Sequence, residues 1–447
     1  MPVVVRNTIE FQGMSTGRHI SASLLCVLML FSAANAQQAN SGIPREDVPA
    51  NCLQAVLAEQ QLTRSLREIR EPLPHLSRDE AIQVRRDYNK LLYNGFTGEA
   101  DTKTVRTYLE YLILRASDPD FSSIPSNGQQ LLKDVESDLQ RAGSSVGNPS
   151  TQLTMRRKFC GEMLTTAKKL LTNSLDARII AVSVMKFLHE SKAVPGGAAA
   201  RLYPEALASL IDVLTSAEQP DSVKVFAASG LRYVLRNCDV IETEQFRICD
   251  AIGMELERPC TQAAFQLTLL EALMEISRPR KTVGGSEPTA MKSFVDVLND
   301  RSRPIEVRCM AALGIGRGSF DTQMKLQPLA WKIAQLAGDV ALEFNRNTGD
   351  DKWPSCGAAL IFAFSHYSNN ETGGSLTERK GLLNRAGNSP PAAITDAAPL
   401  VRMVGIKLIQ NSEGFTGNEV QPLAAWIQEN KPANLKWDNT QPALNAN

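Results

Sequence analysis

The sequence predicts an all-α fold of stacked helix pairs, and three observations carry that expectation. First, a 23-residue stretch occurs twice at an offset of 84 with no gap. SLIDVLTSAEQPDSVKVFAASGL (209–231) and SFVDVLNDRSRPIEVRCMAALGI (293–315) share nine identical positions. Second, apolar residues recur at helical spacing along the chain, and strand-like alternation is absent after residue 14. Third, short links rich in Gly, Pro, Asn and Ser separate the periodic segments.

Residues 1–36 read as a secretory signal peptide. Arg18 and His19 precede the apolar run ASLLCVLMLFSAA (22–34), and Ala34-Asn35-Ala36 is a small-x-small cleavage signature before Gln37. Met14 is an alternative start. The run is shorter than a membrane-spanning helix, and no later segment is long and apolar enough to cross a bilayer. The expected location is therefore outside the cytoplasm, in a periplasm or beyond the cell. Removing 1–36 takes away Arg6, Arg18 and Glu10 and leaves 46 basic and 47 acidic residues, a balance that gives no global pull toward nucleic acid or anionic membrane.

The elements follow in order. Ser77-Arg78-Asp79-Glu80 is a capping box opening a helix at 78–94. Helices are also expected near 50–70, 102–116, 127–142 and 151–172, with links at 117–128 and 143–150. Residues 37–173 thus form an N-terminal helical region with no alignable repeat. The repeat array is expected over 174–430. Its helices fall near 175–190, 204–216, 221–236, 243–256, 260–277, 288–299, 305–317, 322–344, 355–367, 376–386, 397–411 and 418–430. A disordered tail is expected at 431–447.

Within the array Ser174, Pro220, Pro259, Pro304, Pro354 and Pro399 mark the start of each unit's second helix. A dipeptide of one pattern follows: Ala177-Arg178, Val223-Lys224, Val307-Arg308 and Val401-Arg402. Paired small residues come next: Ala227-Ala228, Ala263-Ala264, Ala311-Ala312 and Ala358-Ala359. Two helices cannot bury their shared apolar face alone, whereas stacking such pairs makes a continuous core. The valine is expected in the seam and the adjacent basic residue toward the edge.

PDSVKVFAASGL and PIEVRCMAALGI resemble second helices of the HEAT-repeat (armadillo-like) family, over about 174–411. The resemblance implies an α-solenoid that works through a long binding surface. It also implies that an Asp late in the first helix, a place Asp300 occupies and Ser216 does not, pairs with the basic residue of the dipeptide.

Chemistry-bearing motifs are sparse. Gly314-Ile315-Gly316-Arg317-Gly318-Ser319 lacks phosphate-loop spacing and ends a helix, so it reads as close-packing glycines. His75, His189 and His366 show no metal-ligand spacing, and His189 reads as a helix C-terminal cap. Asn345–Asp351 misses the calcium-loop pattern and reads as a solvated loop. Asn370-Glu371-Thr372 matches a glycosylation acceptor. Seven cysteines remain after cleavage, and a bridge among Cys238, Cys249 and Cys260 is expected. No cofactor motif occurs. Arg156-Arg157-Lys158 reads as a solvated helix face, with the facing of an acidic partner as the alternative. Arg278, Arg280 and Lys281, with Trp353 in a loop, are the candidate partner contacts, and Trp331 is expected in the core. The reading is a non-catalytic protein-binding scaffold or assembly factor that does not bind nucleic acid. The alternatives are a self-associating envelope or matrix component and a helical-cradle enzyme or cofactor-handling subunit.

Overall fold

A computed structural model describes residues 52–191, 193, 197, 199–277, 289–318, 325–365, 381–385, 390–411 and 413–432. The signal peptide, Arg278, Arg280, Lys281, His366, the Asn370 acceptor and residues 433–447 of the expected tail lie outside the described residues.

The chain is all-α. Helices α1 (Leu53–Arg67), α2 (Arg78–Asn94), α3 (Glu99–Leu114), α4 (Pro119–Ser122), α5 (Pro125–Arg141) and α6 (Pro149–Leu170) come first. Then follow α7 (Leu175–Met185), a ribbon of β1 (His189–Ser191) and β2 (Arg201–Leu202), α8 (Pro204–Thr215), α9 (Asp221–Asn237), α10 (Glu242–Glu257) and α11 (Ala263–Leu273). The series ends with α12 (Thr289–Asn299), α13 (Ile305–Arg317), α14 (Leu326–Phe344), α15 (Lys352–Phe364), α16 (Leu382–Arg385), α17 (Ala392–Gln410) and α18 (Gly417–Glu429). Among the described residues no helix is long and apolar enough to cross a membrane.

Local chemistry sets the helix starts. The Ser77–Glu80 capping box is formed, with the Ser77 amide donating to Glu80 Oε2 (2.9 Å) and the Glu80 amide to Ser77 Oγ (3.3 Å). Asn148 Oδ1 accepts the Ser150 amide at the head of α6, whose first residue is Pro149.

Packing follows two rows. In one, α7, α9, α11, α13, α15 and α17 each pack on the next; in the other, α8, α10, α12 and α14 do the same, and α14 packs on α18. Upstream, α2 packs on α3, α3 on α6 and α6 on α7. One contiguous apolar core runs from Leu66 to Trp426.

Ser174, Pro220, Gln262 and Pro304 cap the second helices at intervals of 46, 42 and 42 residues, so the 84-residue offset spans two units. Gln262 replaces the Pro259 marker. Four residues after each cap stands Arg178, Lys224, Gln266 or Arg308, and all four are buried. This corrects the expected outward placement. Each long polar side chain finds partners at a unit boundary instead. Arg178 donates to Gln219 Oε1 (3.0 Å) and Glu218 O (3.2 Å). Lys224 Nζ lies 3.0 Å from Glu255 Oε1. Gln266 Oε1 accepts from Arg303 (2.7 Å), and Arg308 pairs with Asp339 on α14 (3.0 Å). Asp300 salt-bridges Arg303 (3.0 Å), three residues away, and Arg308 instead donates to the Leu298 carbonyl near the end of α12. A buried cation needs a carboxylate or carbonyl partner, and the next unit supplies it. Arg402 alone of the set is exposed.

Four other expectations change. α7 stops at Met185, so His189 begins a strand and caps no helix. Buried Glu190 holds that segment extended between Arg157 (2.7 Å) and Arg201 (3.2 Å). Pro399 lies inside α17, which Pro391 opens from the N-cap. The link at 117–128 contains α4 and the head of α5. Cys238 and Cys249 are buried thiols while Cys260 is disulfide-bonded, as is Cys52, so no bridge joins the first two to the third.

Candidate functional site

An open groove with a volume of about 710 Å³ runs along α3 and α6 to the head of α8. α6 supplies Thr154, Arg157, Lys158, Gly161, Glu162, Thr165 and Lys168 to its lining. The spacing of three or four residues puts them on one helical face. Thr102 from α3, Phe96 from the preceding loop, and Tyr203 and Glu205 at the start of α8 complete it. Tyr203 crosses α6 at Gly161, where a Cβ would stand at ordinary contact distance, 3.4 Å, from the phenol oxygen.

The charges of the groove are only partly matched. Arg157 makes a two-pronged bond to Glu190 (2.7 and 3.2 Å). Arg106 does the same with Glu162 (2.9 and 3.1 Å). Lys158 Nζ donates to the Phe96 carbonyl (3.2 Å) and lies 5.7 Å from that ring centroid. Lys168 makes no ion pair among the described residues. The lining itself carries three cations, Arg157, Lys158 and Lys168, against two carboxylates, Glu162 and Glu205; adding the ion-pair partners Arg106 and Glu190 makes it four against three. Three threonine hydroxyls and the Tyr203 phenol add neutral hydrogen-bonding groups. The phenol is held protonated by partial burial and then by Glu205.

Beneath the groove sit Arg156, Cys160 and His189. The Arg156-Arg157-Lys158 run is therefore no simple solvated face. Arg156 is buried and reaches the His189 carbonyl at 3.4 Å, while Arg157 and Lys158 line the groove. Burial pushes the Cys160 thiol up to about 12. Burial, then the Arg156 charge, push His189 down to about 4. At neutral pH this thiol is protonated and this imidazole is a neutral, weak base, a poor pair for nucleophilic chemistry.

Two other polar sites lie in the array. A 230 Å³ depression holds Arg301, Arg308, Lys332 and Gln335 around Asp339, whose two oxygens meet the two arginines. At the head of α9, buried Lys224, Glu255 and Asp221 form one cluster with the part-exposed Arg258 and Glu59. Arg258 lies 3.1 Å from Asp221 and 2.5 Å from Glu255, and Glu59 accepts the Asp221 amide at 2.7 Å. Burial first, then mutual repulsion, raises the Glu59 carboxyl; burial also raises Asp221. Among the described residues no group of three or more His, Cys, Asp or Glu is placed to hold a metal ion.

Trp353 is not a surface contact. It is fully buried in the first turn of α15, edge-on to Phe344, and its indole donates to the Asn347 carbonyl at 2.6 Å. Pro354 did not exclude it from the helix, because proline is tolerated in a first turn. Trp331 is core as expected, and its indole donates to Ile427 O (2.8 Å). The Asn345–Asp351 loop is tied down instead of merely solvated. Asn345 exchanges hydrogen bonds with Phe415, and the Gly349 amide donates to Asn411 Oδ1. The groove itself was missed. Its partners Arg106–Glu162 and Arg157–Glu190 are far apart in the chain, and only the basic run on α6 signalled it.

No protein-family model matches the chain, and no curated protein matches it. Among solved structures, a crystal structure of an engineered protein is 16% identical, covering 83% of this chain and 95% of its own, with a TM-score of 0.30. A likeness that low carries no argument about fold or function.

Proposed function

We propose that the chain is an exported, non-catalytic protein-binding scaffold of HEAT-like solenoid architecture. Its docking site is the α3–α6–α8 groove, and its partner presents an extended acidic segment there. The observation that carries the reading is the groove's unbalanced positive charge beside a row of hydroxyls, with Lys168 left without an ion pair among the described residues. Charge complementarity of this kind sets orientation and association rate. The unit-by-unit stacking of the two helix rows, with a polar link at successive boundaries, supports the solenoid reading. The signal-peptide pattern at 1–36 supports export.

The test is a crosslinked pull-down of tagged mature protein (37–447) from its own cell envelope, in parallel with the Lys158→Glu/Lys168→Glu variant. A stoichiometric partner held by the wild type and weakened at least tenfold by the double reversal supports the reading. A partner retained equally by both moves the docking site elsewhere. Recovery of the bait only as a self-associated species favours the envelope or matrix component, and recovery as a bare monomer overturns the scaffold.

A further inference from the structure

Helices α13 and α15 are both thirteen residues long and begin 47 residues apart, at Ile305 and Lys352. They pack directly on each other. Gly316 meets Ala363, 47 residues on, so closely that a Cβ on the glycine would lie 2.1 Å from the Ala363 carbonyl oxygen. Two turns earlier on both helices, the same offset places Cys309 beside Cys356. The two thiols are hydrogen-bonded to each other, and both residues are about 1% exposed. Equal offsets at two points mean that the helices run parallel and in register, with the thiols facing across the seam. Cys52 and Cys260 are disulfide-bonded in the same chain, so the fold already carries oxidised cysteine.

We propose that Cys309 and Cys356 form a second disulfide site, closed by thiol–disulfide exchange and stapling two neighbouring units of the array. The proposal rests on the export reading for its natural setting, because such bridges persist in oxidising compartments. The step balances with a low-molecular-weight disulfide, RSSR, as oxidant. One cysteine thiolate attacks a sulfur of RSSR, forming a mixed disulfide and releasing one RS⁻. The second cysteine then attacks the protein-bound sulfur, forms the Cys309–Cys356 bond and releases the second RS⁻. Two protein thiols lose two electrons and two protons, and RSSR becomes two RSH. The partner thiol, and then burial, hold Cys309 well above its ordinary pKa in the closed seam. Exchange therefore takes place while the seam is open, during folding or transient local unfolding.

Five thiols are present outside Cys52 and Cys260: Cys160, Cys238, Cys249, Cys309 and Cys356. The purified mature chain would be equilibrated with a glutathione disulfide/thiol mixture in mild denaturant, returned to native buffer, and its thiols counted under full denaturation. The expected result is a loss of two thiols, with a peptide map linking Cys309 to Cys356 and an upward shift in Tm. Cys309→Ser should lose the link and the shift. Five surviving thiols, or a link to any other cysteine, would overturn the proposal. The same map on protein recovered from the native envelope separates the two readings. A link made by glutathione but absent from native protein sinks export and leaves the site standing.

Discussion

At the scale of single residues, the buried polar positions are the most constrained. Lys224 is 3% exposed and its partner Glu255 5%. Removing Lys224 takes away the fully buried one of Glu255's two cations and leaves only the part-exposed Arg258, 2.5 Å away. Lys224→Met is expected to cost about 3 kcal/mol, measured by urea denaturation. Lys224→Met combined with Glu255→Leu should recover part of the loss, and a single variant as stable as wild type would show the cluster to be energetically idle. His189 gives a pH signature. Its folded pKa of about 4 lies below the ordinary histidine value of 6.5, so the folded state binds the proton less well than the unfolded chain. Its contribution is complete above pH 6.5 and is lost as the pH falls toward 4. Between pH 7.5 and 4.5 the wild type should lose on the order of 2 kcal/mol more than His189→Gln. Equal pH profiles for the two proteins would refute the assignment. The difference between variants is the proper readout, because Glu59 and Asp221, with raised pKa values, act in the opposite direction.

At the scale of elements, helices and their ends were legible because caps and apolar spacing act within a few residues. The helices at 78–94 and 305–317 begin and end where the pattern places them. Glycines within helices carry information that the sequence does not rank. A Cβ on Gly316 would lie 2.1 Å from the Ala363 carbonyl oxygen, whereas one on Gly338 would meet only Ile427 Cδ1 at 3.7 Å. Alanine favours a helix over glycine by about 1 kcal/mol where space allows. Gly338→Ala should therefore raise Tm, and Gly316→Ala should lower it by an amount corresponding to about 1–3 kcal/mol. Same-sign shifts in both would contradict the packing of α13 on α15. Local pattern failed where distant groups compete. The Arg157 and Arg201 pull on Glu190 converts the expected end of α7 into a strand.

For the whole molecule, each helix of a row packs on the next, and one apolar core links them from Leu66 to Trp426. Where each helix packs chiefly on its neighbours in a row, protection varies locally along the chain. Native-state hydrogen exchange should be slowest in α9, α11 and α13, which have neighbours on both sides. It should be fastest in α1, which buries only Leu66, and in α18, which buries Leu423 and Trp426. Uniform protection along the chain would instead indicate a single all-or-none unit.

The sequence by itself determined the all-α class, most helix boundaries and the two-unit period behind the 84-residue offset. Capping and apolar periodicity are local properties that each segment carries alone. Only the tertiary structure decided where the long polar side chains go. It buried Lys224 and Arg308 against the next unit, took Trp353 out of contact with solvent, and brought Cys309 to Cys356. It also turned Arg156-Arg157-Lys158 from a solvated face into one buried cation and two groove residues. Apart from Trp353, which packs on the nearby Phe344 and Asn347, each of these outcomes depends on a partner at least thirty residues away, such as Asp339 for Arg308 and Glu190 for Arg157. The partners meet only when the helix rows close and water leaves the seam, which makes an unmatched charge costly enough to select its neighbour.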